Sequence, residues 1–156
     1  MQSTDELVRG MPRNESGVVV GARFFRYWGP VCGYAVLIFY LSAQSHPEQA
    51  LPSFFQLVND KIVHAIEYAV LGGLCYRAFR WGTNGSWARQ AIIHAIVLAS
   101  LYGMSDELHQ WFVPFRQSSW QDWMADVMGS TIGAMMIRWM VEPASTPSAG
   151  SKLHRS

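Results

Sequence analysis

Apolar residues gather in four long stretches joined by short polar connections. From Tyr27 to His46 no Asp, Glu, Lys or Arg appears, and Val31–Leu41 is almost wholly apolar. A second stretch runs from Lys61 to near Arg80, a third from Arg89 to near Trp111, and a fourth from Ser119 to near Val141. Each approaches the roughly 20 residues that a helix needs to cross a bilayer core. No run of period-2 alternation competes with them, so the pattern predicts helices and no strands. The fold class expected is all-α, a bundle of four transmembrane helices whose short connections suit antiparallel neighbours. Residues 1–22 are polar and lack periodicity, and residues 143–156 are rich in Pro and Ser; both read as disordered tails around a domain at 23–142. Between the first two stretches Leu51, Phe54, Phe55 and Val58 fall at i, i+3, i+4, i+7. That spacing suits a short amphipathic helix on the outer leaflet, or a plain loop packed on the bundle.

A soluble bundle should turn a charged face outward. The first stretch has none, and AIIHAIVLASLYGM within the third offers only His94. A signal peptide is the rival for the first stretch, since Arg23 and Arg26 precede it. It fails because Leu41-Ser42-Ala43 lacks the small residue three positions before a cleavage site. Basic residues then set the orientation. Arg9, Arg13, Arg23, Arg26, Arg77, Arg80, Arg89, Arg138, Lys152 and Arg155 fall on one side, and only Lys61 and Arg116 on the other. The positive-inside rule places both termini in the cytoplasm. Trp28, Trp81, Trp87 and Trp139 then mark the inner interface, and Trp111, Trp120 and Trp123 the outer one.

Composition sharpens this in three ways. The 156 residues suit one domain. Charged residues make up 15% of the chain, against about 25% in an ordinary soluble domain. Twelve basic residues nearly balance eleven acidic ones, so no basic field exists for nucleic acid, and none is expected as a partner. Two cysteines, Cys32 and Cys75, form neither a disulfide scaffold nor a zinc ribbon, and read as small packed residues. The mean hydropathy of +0.07 is low for a membrane protein, so the membrane reading rests on segments, not on the average.

The polar residues of these stretches converge. At about 100° per residue, Asp60, His64, Glu67 and Tyr68 share one face of the second helix. Tyr102, Asp106, His109 and Gln110 share one face of the third, with Glu107 at its flank, and Asp122, Asp126, Gly129 and Gly133 share a stripe on the fourth. The orientation puts every one of these clusters in the outer third of the membrane. A lone charge at the bilayer centre costs at least about 2.5–3.5 kcal/mol. The acids must therefore face each other, a wet cavity or a cation, and Lys61, Arg116, His64 and His109 are the partners at hand. The expectation is a polar pocket open to the outside, roofed by Pro114, Phe115 and Arg116. The plainer reading is a closed plug that fixes helix register.

The segments DKIVHAIEYAVLGGL at 60–74 and YGMSDELHQWFVPFRQSSWQDWMADVMGSTIG at 102–133 resemble the VanZ-like family of small bacterial membrane proteins. The resemblance rests on the Asp-Lys before a His and a Tyr, the Asp-Glu-x-His-Gln block, the following Pro and Arg, and the Asp that opens the last helix before its glycines. It extends to LSAQS at 41–45. Phe115 stands where the family often has Gly. The resemblance implies a multi-pass protein of the bacterial inner membrane. The family is named for a protein linked to teicoplanin resistance, which implies a cell-envelope role without fixing an activity.

Three chemistries fit the cluster. Asp106, His109, His64, Asp122 and Asp126 could enter a metal shell, but no His-x-x-x-His pair is present and Glu107 points about 160° from His109. No metal and no cofactor is assigned. Carboxylates crowded beside a histidine could do acid–base work on a lipid-linked substrate, although Ser42, Ser45, Ser118 and Ser119 lack any nucleophile context. Recognition of a lipid-linked or peptidoglycan-related envelope component is the leading expectation, with Lys61 and Arg116 gripping an anionic group. Transport is weakened by the apolar inner half of the fourth helix. Gly29 and Gly33, and Gly129 and Gly133, form GxxxG pairs that predict close helix packing within the chain, with a second copy as the other use.

Overall fold

The computed structural model describes residues 15–44, 60–116 and 118–142. Among them are five helices and no strand: α1 Glu15–Ser42, α2 Asp60–Gly82, α3 Gly85–Arg89, α4 Ala91–Gln110 and α5 Trp120–Val141. The amphipathic pattern at Leu51, Phe54, Phe55 and Val58 lies outside the described residues. Helix α1 starts at Glu15, earlier than the boundary at residue 23 read from the sequence. Arg23 ties this end down, donating from Nε to the Trp81 carbonyl at 2.7 Å and from a terminal nitrogen to the Thr83 carbonyl at 3.3 Å. Pro30 lies inside α1, where it removes one backbone donor. The one-turn helix α3 begins at Gly85, whose φ of 64° is open to glycine at little cost.

Helices α2 and α5 run parallel and form the closest pair. Their seam is made of small residues. A Cβ on Gly72 would strike the Ser130 backbone, and a Cβ on Gly129 or Gly133 would strike the carbonyl of Ala65 or Ala69. The glycine pair of the last helix thus packs within the chain, as its spacing predicts. Gly29 and Gly33 do not: nothing lies within 4 Å of where their Cβ atoms would be. Helix α1 instead packs through its larger side chains, with Val31 and Ile38 in the core and Tyr27, Trp28 and Tyr34 against it. Gly29 and Gly33 lie on the opposite, exposed face of α1, so their GxxxG spacing meets no helix among the described residues.

Helix α4 runs against α2 and α5. It presents a ladder of small buried residues, Ala91, Ala95, Ala99 and Gly103. Tyr68, Leu71, Cys75, Tyr76 and Ala78 of α2 fill the centre between the helices.

The outer surface of this bundle is apolar. Val36, Leu37 and Phe39 on α1, Ile62 and Ile66 on α2, Val97, Leu101 and Leu108 on α4, and Met128, Ile132 and Met135 on α5 are all exposed. His64, Asp106, Glu107, Gln110, Asp122 and Asp126 of the same helices are buried inside. A continuous exposed apolar surface of this kind marks contact with lipid or another protein. Among the described residues, one helix, Ala91–Gln110, is long and apolar enough to cross a membrane by length and composition. Helices α2 and α5 carry charged residues at both ends, and α1 carries them only before Tyr27.

Candidate functional site: a buried polar cluster at one end of the bundle

The N-terminal turns of α2 and α5 meet the C-terminal turn of α4. Because α2 and α5 are parallel, their polar residues pair in register. Lys61 Nζ donates to Asp122 Oδ1 at 2.9 Å, and one turn deeper His64 Nδ1 lies 3.0 Å from Asp126 Oδ1. Asp126 is fully buried and Asp122 nearly so, while the Lys61 side chain keeps 44% of its exposure. The pairs therefore run from the protein surface inward. Asp60 opens α2, and its side chain lies outside the described ones.

Helix α4 supplies the third wall. Gly103 makes room for Asp126: a Cβ there would lie 2.8 Å from Asp126 Oδ2. Asp106 accepts a hydrogen bond from Gln110 Nε2 at 3.0 Å, both side chains being buried. Glu107 Oε2 accepts the backbone N–H of Ser119 at 2.7 Å. The Ser119 hydroxyl in turn caps α5, accepting from the Gln121 N–H at 3.2 Å. Tyr68 is wholly buried beside Gly103, its ring 6.4 Å from that of Tyr102.

Two expected members turn elsewhere. His109 stacks on Phe39 of α1, ring centroids 4.5 Å apart, and Tyr102 donates to the Ala35 carbonyl of α1 at 2.6 Å. These residues fasten α4 to α1. Arg116 sits in the loop between α4 and α5, its N–H bonded to the Val113 carbonyl at 3.2 Å. The preceding Phe115 has φ of 66°, the left-handed conformation that favours glycine.

The cluster is rich in acid. Asp106, Glu107, Asp122 and Asp126 are all buried. Several of its polar atoms are buried with no hydrogen-bond partner among the described residues: Asp106 Oδ1, Glu107 Oε1, Asp126 Oδ2, the Tyr68 hydroxyl, His109 Nε2 and Arg116 Nε. Unsatisfied buried groups concentrated at one spot call for a ligand, ion or water. The sequence reading puts Glu107 at the flank of its helix. The structure turns it inward, where His64, Glu107 and Asp122 offer ligand atoms within 4.8 Å of one another. Helical spacing could not show this, because the Ser119 backbone that holds Glu107 belongs to the far side of a loop.

The fold and the cluster together define a class: a small helical protein, apolar outside, with its buried acids gathered within one end. The VanZ/LLP1 family profile matches residues 28–141, and the chain belongs to that family. No curated protein and no solved structure matches it.

Proposed function

We propose that this chain is a multi-pass protein of the bacterial inner membrane whose polar cluster recognises an extracytoplasmic cell-envelope component, lipid-linked or glycopeptide-related. In this reading α1, α2, α4 and α5 span the bilayer and both termini are cytoplasmic. The observation that carries it is the inversion of the bundle, with exposed apolar side chains around buried, incompletely paired acids. Only helices that satisfy their own backbone can present such a surface to lipid. Ten of the twelve basic residues fall on the cytoplasmic side of this arrangement. Trp111 and Trp120 are exposed at the cluster end, and Trp87 and Trp139 at the other, as interface anchors would be. Arg116, with Nε buried and unbonded among the described residues, is the cation suited to an anionic phosphate or carboxylate.

The test compares abundance with phenotype. Asp106→Asn and Arg116→Gln should accumulate and melt in detergent close to the parent, yet lose the altered sensitivity to a cell-wall-directed glycopeptide that the intact protein confers. His94→Gln and Cys75→Ser, at the other end, should keep it. If the first two lose abundance in proportion to phenotype, the cluster is a structural plug and the recognition reading falls.

A second reading has its own observation. The His64–Asp126 pair at 3.0 Å, both side chains buried, is the arrangement of an oriented acid–base histidine. A small membrane enzyme acting on a lipid-linked envelope substrate would use it. Accumulation of a chemically altered lipid-linked precursor in cells carrying His64→Gln would favour this alternative.

A further inference from the structure

We infer that His64, Glu107 and Asp122 form a site for one divalent cation of the zinc or manganese kind, with Asp126 holding the histidine in place. The inference rests on the reading above only for what would fill the ion's open position.

The three donors come from three helices, α2, α4 and α5, and lie within 4.8 Å of one another. Bond lengths to zinc are about 2.0–2.2 Å, so small side-chain shifts bring all three onto one ion. One imidazole with two carboxylates suits zinc or manganese better than soft, thiolate-seeking metals. Three protein ligands leave at least one position for water or an anionic group.

Two further observations point to an ion. The first is the support behind the histidine. His64 Nδ1 lies 3.0 Å from Asp126 Oδ1, and Asp126 is fully buried. An ionised carboxylate can only accept, so the proton belongs on Nδ1, and Nε2 presents its lone pair. Metal-bound histidines are nearly always held in this way by a carboxylate or carbonyl on the other ring nitrogen. The second is Glu107. It is more than nine-tenths buried, its Oε2 is fixed by the Ser119 N–H, and its Oε1 is buried without a hydrogen-bond partner among the described residues. A carboxylate so placed is stabilised by a cation at its open oxygen.

Charge agrees. The buried acids Asp106, Glu107, Asp122 and Asp126 bring up to four negative charges, and the only ammonium bonded to any of them among the described residues is that of Lys61, on Asp122 Oδ1. A dication added to Lys61 offsets three of them. Lys61 is half out in solvent and can keep its bond while the other oxygen of Asp122 turns to the metal.

The test uses the full chain without a histidine tag, purified in detergent and stripped with a chelator. Zn2+ and Mn2+ are then titrated separately, with bound metal counted by mass spectrometry after gel filtration. One equivalent of at least one ion per chain is expected, together with a raised melting temperature. Glu107→Gln and Asp122→Asn should abolish stoichiometric binding, and Asp126→Asn should weaken it by about 10–100-fold. His94→Gln and a double His46→Gln/His154→Gln variant should bind like the parent. Should the ligand variants fail to fold, Co2+ loaded into the parent keeps the question open to measurement: its absorption and X-ray fine structure should show one imidazole in an oxygen-rich shell. A folded parent that retains neither ion, binding that survives Glu107→Gln and Asp122→Asn, or a cobalt shell without imidazole overturns the inference. Arg116→Gln separates the two readings. It should bind metal normally and lose the glycopeptide phenotype; normal binding with an intact phenotype sinks the recognition reading alone.

Discussion

Phe115 is held at a φ of 66° by the sharp turn that brings Arg116 back toward the cluster. A left-handed backbone costs a side-chain-bearing residue roughly 1–2 kcal/mol, and glycine almost nothing. This is the position where the resemblance to VanZ-like proteins leads one to expect Gly, so the backbone shape is kept while the residue is not. Phe115→Gly should therefore raise the melting temperature in detergent or leave it unchanged, while Phe115→Val, β-branched, should lower it. Lower stability in the glycine variant would mean that contacts of the ring outweigh the backbone strain. Ser119 is a second single-residue lever, because its hydroxyl caps α5 while its N–H holds Glu107. Losing the hydroxyl should cost about 0.5–2 kcal/mol, with the Glu107 contact retained, so Ser119→Ala should lower the melting temperature but keep whatever the cluster binds.

At the level of elements, the α2–α5 seam has no room for a methyl group. Gly133→Ala drives its Cβ into the Ala69 carbonyl and must separate the helices, so abundance should collapse. Gly33→Ala meets open space and should be tolerated by the folded chain. Similar accumulation of the two would show that the seam is looser than this. The far ends of the same two helices are joined by Glu142, which accepts from Arg80 Nε and lies 3.9 Å from Arg138 Nε. The Arg80 hydrogen bond holds the Glu142 carboxyl below its usual range. A lowered folded-state pKa means that this stabilisation is complete above the unfolded Glu value of about 4.3 and fades as pH falls through the folded one. Melting of the parent should thus drop more steeply on acidification below that value than melting of Glu142→Gln. Equal slopes would show that the pair does not contribute.

For the whole molecule, helix content was legible because apolar runs bounded by Trp, Arg and polar turns leave little choice, and the stripes at Asp106/Gln110 and Asp122/Asp126 follow from the 3.6-residue period. What stayed hidden was set by partners distant in sequence. Glu107 reaches the Ser119 N–H across a loop, His109 stacks on Phe39 of another helix, and Gly29 and Gly33 lie on the exposed face of α1, opposite the Val31 and Ile38 that pack. The proposed topology has a direct check. In a chain lacking Cys32 and Cys75, a cysteine at Ser118 should react with a membrane-impermeant thiol reagent in intact cells, and one at Ser86 should not. The reverse pattern would invert the orientation.

The parallel seam between α2 and α5 also dictates a timetable for synthesis. His64 and Asp126 are 62 residues apart, and two parallel neighbours cannot meet until the chain has crossed back between them. As the ribosome delivers α2, Lys61 and His64 have no carboxylates from α5, and the carbonyls of Ala65 and Ala69 have no glycines to cover them. In the proposed topology the nascent protein must wait in that state, shielded by insertion machinery or by the water-facing mouth of the bilayer, until its last helix arrives. A chain cut after Gln110 would be frozen at that stage, and rapid proteolysis of it, set against a long-lived full chain, is the outcome this order of events requires.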